Sequence, residues 1–156
     1  FIASNDSGVA TLSVLSILAT LIGVANLHAA QESAWTWTLY ADSAPVVLAN
    51  EIPDTPSLRT TLECEPGSSV ARVTLCQAAG MTGMTRLAAG SSTAMTESDA
   101  GRGGSAKLAL RTDHPVFAAF AADGNLSMTA GETRRSIEIP QAHLAKLRRF
   151  AELCSG

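Results

Sequence analysis

Alternating apolar and polar residues predict a series of β-strands that begins at Trp35. Residues 35–40 place Trp35, Trp37 and Leu39 on one face and threonine and tyrosine on the other, which is the pattern of a half-buried strand. We expect the two tryptophans to be core residues, and stacking on a ligand or contact with a membrane interface is the alternative. The further strands predicted by alternation and turn signals cover residues 46–52, 58–64, 70–76, 84–89, 92–97, 107–112, 125–129 and 134–139.

Two short helices are predicted late in the chain. Residues 113–124 carry Asp113 as a candidate N-cap, Pro115 in the first turn and Gly124 at the left-handed position after the last turn. Residues 141–154 place one apolar stripe at spacings of three and four, formed by Leu144, Leu147, Phe150, Ala151 and Cys154. Between the strands, residues 98–106 are rich in glycine and are predicted to be a mobile loop.

The order of these elements predicts an α+β or mainly-β domain over residues 31–156. We expect a twisted antiparallel sheet or a partial barrel with the C-terminal helix packed on it, preceded by an N-terminal apolar helix.

Residues 8–30 form an apolar run in which His28 is the sole ionisable side chain. As a helix, 23 residues would span a hydrocarbon layer of roughly 30 Å. We predict that residues 1–30 are a signal peptide or a membrane-anchor helix, and a buried helix of a soluble protein is the remaining alternative. The first two interpretations place residues 31–156 outside the cytoplasm, as a periplasmic or secreted domain or one anchored in the inner membrane.

Phe1 ahead of a long apolar segment resembles the processed N-terminus of type IV pilins. That family usually carries Glu at the fifth position, whereas this chain has Asn5 followed by Asp6. The resemblance covers about a fifth of the chain and implies a pilin-like subunit of an assembly.

Three cysteines, Cys64, Cys76 and Cys154, would meet oxidising conditions in that compartment. In a hairpin over residues 58–76 that turns at Pro66 and Gly67, Cys64 and Cys76 would lie roughly 16 Å apart along the strands, too far for a bridge. Alternation turns Cys64 inward, and the helical stripe turns Cys154 inward. We therefore predict a Cys64–Cys154 disulfide with Cys76 as the free thiol; three reduced cysteines are the alternative.

Composition and residue spacing exclude several classes of function but do not assign one. Hydrophobic residues make up 46% of the chain, and the formal net charge is −3, which argues against a disordered chain and against a nucleic-acid partner. The cysteines and histidines lack zinc-ligand spacing, and residues 101–107 lack the strand–loop–helix context of a phosphate-binding loop. We predict no cofactor and no metal.

His114 is the one candidate for catalysis. Beside Asp113, it could act as a general base in a small periplasmic hydrolase if Ser127, Ser136 or Cys76 lay within hydrogen-bond reach. Capping or surface placement is the simpler interpretation of His114, and His143 is expected to be solvated.

Positive charge gathers near the C-terminus and gives a possible interaction surface, which consists of Arg134, Arg135, Lys146, Arg148 and Arg149. Such a surface could meet an acidic protein, lipid headgroups or cell-wall polyanions, while the solvated face of an amphipathic helix is the alternative. We predict a non-enzymatic, exported or membrane-anchored envelope protein that binds another envelope protein or joins an assembly. Residues 8–30 would contact the membrane if they are not cleaved.

Overall fold

A computed structural model describes residues 34–156, which fold into a mainly-β domain. Its strands are β1 (Thr36–Tyr40), β2 (Val46–Glu51), β3 (Leu58–Cys64), β4 (Val70–Leu75), β5 (Gly83–Ala89), β6 (Ser92–Ala100), β7 (Ala106–Arg111), β8 (Asn125–Ala130) and β9 (Thr133–Glu138). They form one antiparallel sheet in the order β1-β2-β3-β4-β7-β6-β5-β8-β9, curled into a half-barrel. The expected antiparallel partial barrel with a C-terminal helix is confirmed.

The expected signal peptide or anchor at residues 1–30, the membrane contact through residues 8–30 and the pilin-like N-terminus lie outside the described residues. Within residues 34–156, no helix has both the length and the apolar character needed to cross a bilayer.

Alternation along the strands separates an inner face, which carries the core, from an outer face. In β7, for example, Ala106, Leu108 and Leu110 are buried, whereas Lys107 and Arg111 are exposed on the opposite face. The same alternation buries Trp37, as predicted, while Trp35 is half-buried with the Arg59 guanidinium 3.9 Å from its ring centroid.

Two helices pack against the sheet, α1 (Pro115–Asp123) against β5, β6 and β8, and α2 (Leu144–Cys154) against β1 and β2. The predicted apolar stripe of α2 is buried at Leu144, Leu147, Phe150 and Cys154. After α1, Gly124 adopts φ +83°, and a Cβ there would clash with the Ile139 carbonyl oxygen, so the position requires glycine.

The glycine-rich segment corrects one prediction. Residues 98–106 do not form a single mobile loop. β6 continues to Ala100, a short 3-10 turn follows at Arg102–Gly104, and the start of β7 then pairs with the last residues of β6. Ser98 is buried on the core face, and its hydroxyl lies 2.6 Å from the hydroxyl of buried Thr85. A buried polar side chain with its own partner is stable in a core, and composition alone does not reveal that partner.

The C-terminal helix is tied to the sheet at one end by a covalent bond and two hydrogen bonds. A disulfide joins Cys64, the last residue of β3, to Cys154, the last residue of α2, and this is the pair selected from the sequence. The backbone N–H groups of Gly67 and Ser69, in the β3–β4 turn, donate to the carbonyls of Leu153 (3.2 Å) and Cys154 (2.8 Å). Carbonyls that have no partner within the helix are therefore satisfied by the turn.

Replacing both bridged cysteines, as Cys64→Ala with Cys154→Ala, is expected to lower the free energy of unfolding by about 4 kcal/mol. The bridge spans a sequence separation of 90 residues, and its removal restores the entropy of that loop to the unfolded chain. Urea denaturation followed by circular dichroism measures the change. Cys76→Ala is the control and should shift the midpoint little; a loss below about 1 kcal/mol in the double variant would contradict the structural role of the bridge.

Candidate functional site

A groove of about 440 Å3 lies on the outer face of the sheet, where β3, β4, β7 and β6 run side by side. Short side chains, Thr74 and Ala109, form its floor. Long charged side chains stand around them, namely Glu63, Arg72, Glu97, Asp99 and Lys107. We refer to this depression with its seven residues as the polar groove.

Beside the groove, the backbone pairing of two neighbouring strands is interrupted. β6 and β7 are paired from Ser98–Leu108 to Ala100–Ala106, and the ladder does not continue past Ser98 towards the start of β6. Next to the last pair, the Thr96 hydroxyl donates to the Ala109 carbonyl oxygen at 2.9 Å, so a side chain replaces a backbone bond there. The groove therefore sits where the sheet ladder is interrupted.

The register sets the charge pattern around the groove. Glu63 lies opposite Arg72, and Asp99 lies opposite Lys107. Within residues 34–156, the ion pairs within 4.0 Å are Arg111–Asp113 and Arg149–Glu152, so none lies in the groove. Its charged groups are thus held as neighbours by the backbone without being locked together, and they are able to contact a partner that carries both signs of charge.

The side chains of the groove do not form a metal-binding cluster. No cluster of three or more His, Cys, Asp or Glu side chains suited to a metal occurs in the described part of the chain.

The structure gives His114 a structural role. It is the N-cap of α1, and its Nδ1 accepts a hydrogen bond from the Val116 backbone N–H at 3.1 Å. Asp113, predicted to be the cap, instead accepts hydrogen bonds from Arg111 Nε (2.8 Å) and Nη2 (2.6 Å). The hydrogen bond from Arg111 also lowers the pKa of the Asp113 carboxyl below its ordinary value.

The predicted catalytic arrangement around His114 is not assembled. Among residues 34–156, no hydrogen bond joins its side chain to Ser127, Ser136 or Cys76, and the Ser127 hydroxyl donates to the Ala88 carbonyl oxygen at 3.4 Å. His143 also departs from expectation, because its Nδ1 is buried and has no hydrogen-bond partner in the part of the chain that is described.

The structure gives each of the five basic residues predicted as an interaction surface its own position and partners. Lys146 Nζ donates to the Trp37 carbonyl oxygen at 2.6 Å. Arg148 donates to the carbonyls of Ala121 and Ala122, both at 3.3 Å, near the C-terminal end of α1. Arg149 pairs with Glu152 at 3.0 Å on the exposed side of α2.

The two remaining basic residues lie on an edge strand of the described sheet. Arg134 and Arg135 are successive residues of β9, so their side chains leave opposite faces of the strand. Arg135 donates through Nε to the Gln77 carbonyl oxygen (3.2 Å) and through Nη1 to that of Arg134 (2.8 Å). Most of these cations thus bind backbone carbonyls of their own chain, which the sequence pattern does not reveal.

Cys76 is half-buried and is not part of a disulfide. Burial raises the pKa of its thiol above the ordinary value. Because the thiolate is the reactive species, Cys76 is less reactive at neutral pH than an exposed cysteine.

Sequence reasoning did not identify the polar groove. Its residues are the outward-facing positions of four strands that are not consecutive in the chain, since β7 lies between β4 and β6. The sequence does show a short side chain, Ala109, between the long side chains of Lys107 and Arg111 on the outer face of one strand. This pattern indicates a depression only when the neighbouring strands are known.

Comparisons of the chain with protein-family profiles, with curated proteins and with solved structures found no match.

His114→Ala is expected to lower the free energy of unfolding by about 1 kcal/mol, because it removes the side chain that caps α1. His114→Asn should retain most of the stability, since asparagine is a good N-cap residue. Chemical denaturation of the three proteins measures both effects. Equal losses in the alanine and asparagine variants would contradict the capping role.

Native protein treated with iodoacetamide in the absence of reductant should gain one adduct, at Cys76, since two of the three cysteines form the disulfide. The reaction at neutral pH should be slower than in the unfolded protein, because burial raises the thiol pKa. It should accelerate as the pH rises and the thiolate fraction grows. Intact-mass spectrometry counts the adducts. An adduct on Cys64 or Cys154 in the native, unreduced protein would contradict the assignment.

Proposed function

We propose that residues 31–156 form the extracytoplasmic, non-enzymatic binding domain of an exported or membrane-anchored envelope protein. The observation that supports this proposal is the polar groove, a charged depression on the outer face of a sheet whose inner face is occupied by the core. The partner we propose is another envelope protein, bound through charged and polar contacts.

Two features support the location. The Cys64–Cys154 disulfide is consistent with an oxidising compartment outside the cytoplasm. The apolar run at residues 8–30 is typical of a segment that directs a chain to or across a membrane. The two features are independent, because one is a covalent bond in the domain and the other is a hydropathy pattern ahead of it.

The arrangement of the groove supports binding to a protein surface. Strand register fixes the spacing of its charged groups, so less conformational entropy is lost when a partner binds than would be lost from a flexible loop. Charges of both signs around a short floor favour one orientation of a partner with complementary charges and disfavour uniformly charged polymers.

Chemistry at His114 receives less support than binding. Its Nδ1 serves the backbone of α1, and Asp113 is paired with Arg111, so neither group of the predicted pair orients the other.

The groove can be tested by photocrosslinking in the organism that makes the protein. A benzophenone amino acid placed at Ala109, on the groove floor, should crosslink a defined partner protein. Reversing two groove charges, as Arg72→Glu with Lys107→Glu, should reduce the yield at Ala109 by about tenfold or more, because charge complementarity is lost.

The matched control places the same amino acid at Ser136, an exposed residue of β9 away from the groove. Ser136 should not yield that product. The proposal would fail if both positions captured the same protein equally, or if the charge reversal left the yield at Ala109 unchanged.

A further inference from the structure

Two methionines, Met84 and Met95, are the most exposed large hydrophobic side chains of residues 34–156, with exposed fractions of 63% and 59%. Both lie on the outer face of the β5–β6 hairpin, whose inner face buries Thr85 and Leu87 completely. Exposed thioethers at neighbouring positions of a regular sheet do not serve the core of this domain, so they need another explanation.

The hairpin register places these methionines in a rectangle with two opposite charges. Met84 lies opposite Glu97, and Arg86 lies opposite Met95. The methionines therefore occupy one diagonal of the rectangle, and Arg86 and Glu97 occupy the other. We call these four outward-facing residues the methionine patch.

This pattern is complementary to itself under one symmetry operation. A two-fold axis lying in the plane of the contact, along the Met84–Met95 diagonal, places each methionine on its counterpart in a second copy. The same rotation brings Arg86 of each copy close to Glu97 of the other, within reach of an ion pair. An axis along the strands, or at right angles to them, would instead place methionines on charged groups.

We propose that the methionine patch is a self-association surface whose partner is a second copy of this chain. Two residues span about 6.7 Å along a strand and neighbouring strands lie about 4.8 Å apart, so the diagonal axis makes the strands of the two hairpins cross at about 70°. This angle is nearer to the orthogonal class of face-to-face sheet packing than to the aligned class. Unbranched methionines adapt to such a crossing, and arginine forms well-directed hydrogen bonds with a carboxylate.

Small side chains beside the patch allow the two faces to approach. Ala88 and Thr93 form the next outward pair of the hairpin, and Ser127 lies beside Ala88 on β8. Because the patch itself is small, the dimer is expected to be of the weak, transient class.

The self-association goes beyond the proposed binding function and is separable from it. Glu97 belongs both to the methionine patch and to the polar groove, but Arg72, Lys107 and Glu63 lie outside the patch. Variants at Arg72 and Lys107 therefore test the groove, and variants at Arg86 test the dimer.

The symmetry is tested by cysteine crosslinking of the full chain with Cys76→Ala as background. Met84→Cys should form an intermolecular disulfide under mild oxidation, because the axis brings residue 84 of both copies together, and so should Met95→Cys. Lys107→Cys, an exposed outer-face position on β7 away from the axis, is the control and should react far less. Non-reducing gel electrophoresis measures the dimer fraction.

Exchanging the charges at Arg86 and Glu97 then distinguishes this dimer from crosslinking by random collision. Arg86→Glu or Glu97→Arg alone should lower the crosslinking at residue 84 by about tenfold, because each places like charges together twice. The double variant, Arg86→Glu with Glu97→Arg, should restore it. Crosslinking at residue 107 as efficient as at residue 84, no crosslinking at residue 84, or no restoration by the double variant would each overturn the proposal.

Discussion

The domain depends on the attachment of α2 to the β3–β4 turn. Cys154 is fully buried and covalently joined to β3, and the turn supplies N–H donors to the last carbonyls of the same helix. An apolar helix face alone would permit sliding along the sheet, since hydrophobic contact has no direction. The disulfide and the two hydrogen bonds fix the end of the helix at one point, and the stripe that ends at Cys154 then covers β1 and β2 in a single alignment.

Cations at the sheet edges have a related structural role. Lys146 reaches from α2 to the Trp37 carbonyl of β1, and Arg135 covers carbonyls of Arg134 and Gln77 beside β9. Edge strands in general invite pairing with other chains, and charged side chains that occupy backbone acceptors reduce that tendency. Three of the five basic residues near the C-terminus therefore bind backbone carbonyls within the domain.

Local pattern was sufficient to predict the strands and the helix stripe, because alternation and helical spacing are direct consequences of which face is buried. It was also sufficient to turn Cys64 and Cys154 inward. Local pattern was insufficient where a contact with another side chain determines whether a residue is buried or which side chain caps a helix. Buried Ser98 has its hydroxyl 2.6 Å from that of Thr85, its diagonal neighbour on β5. His114 caps α1 in place of Asp113, whose carboxylate accepts hydrogen bonds from Arg111.

The strand order explains why the polar groove and the methionine patch adjoin. The β5–β6 hairpin enters the sheet beyond β7, so β6 borders the interrupted ladder on one side and pairs fully with β5 on the other. Glu97 stands at that boundary, with Met84 opposite it on β5 and the groove floor on its other side. Both helices pack against the sheet, and its outer face is shaped by side-chain length and by the interruption of the β6–β7 ladder. On such a surface short residues make depressions and unpaired long residues make contacts, so the register that builds the core also sets the spacing of every group that a partner would meet.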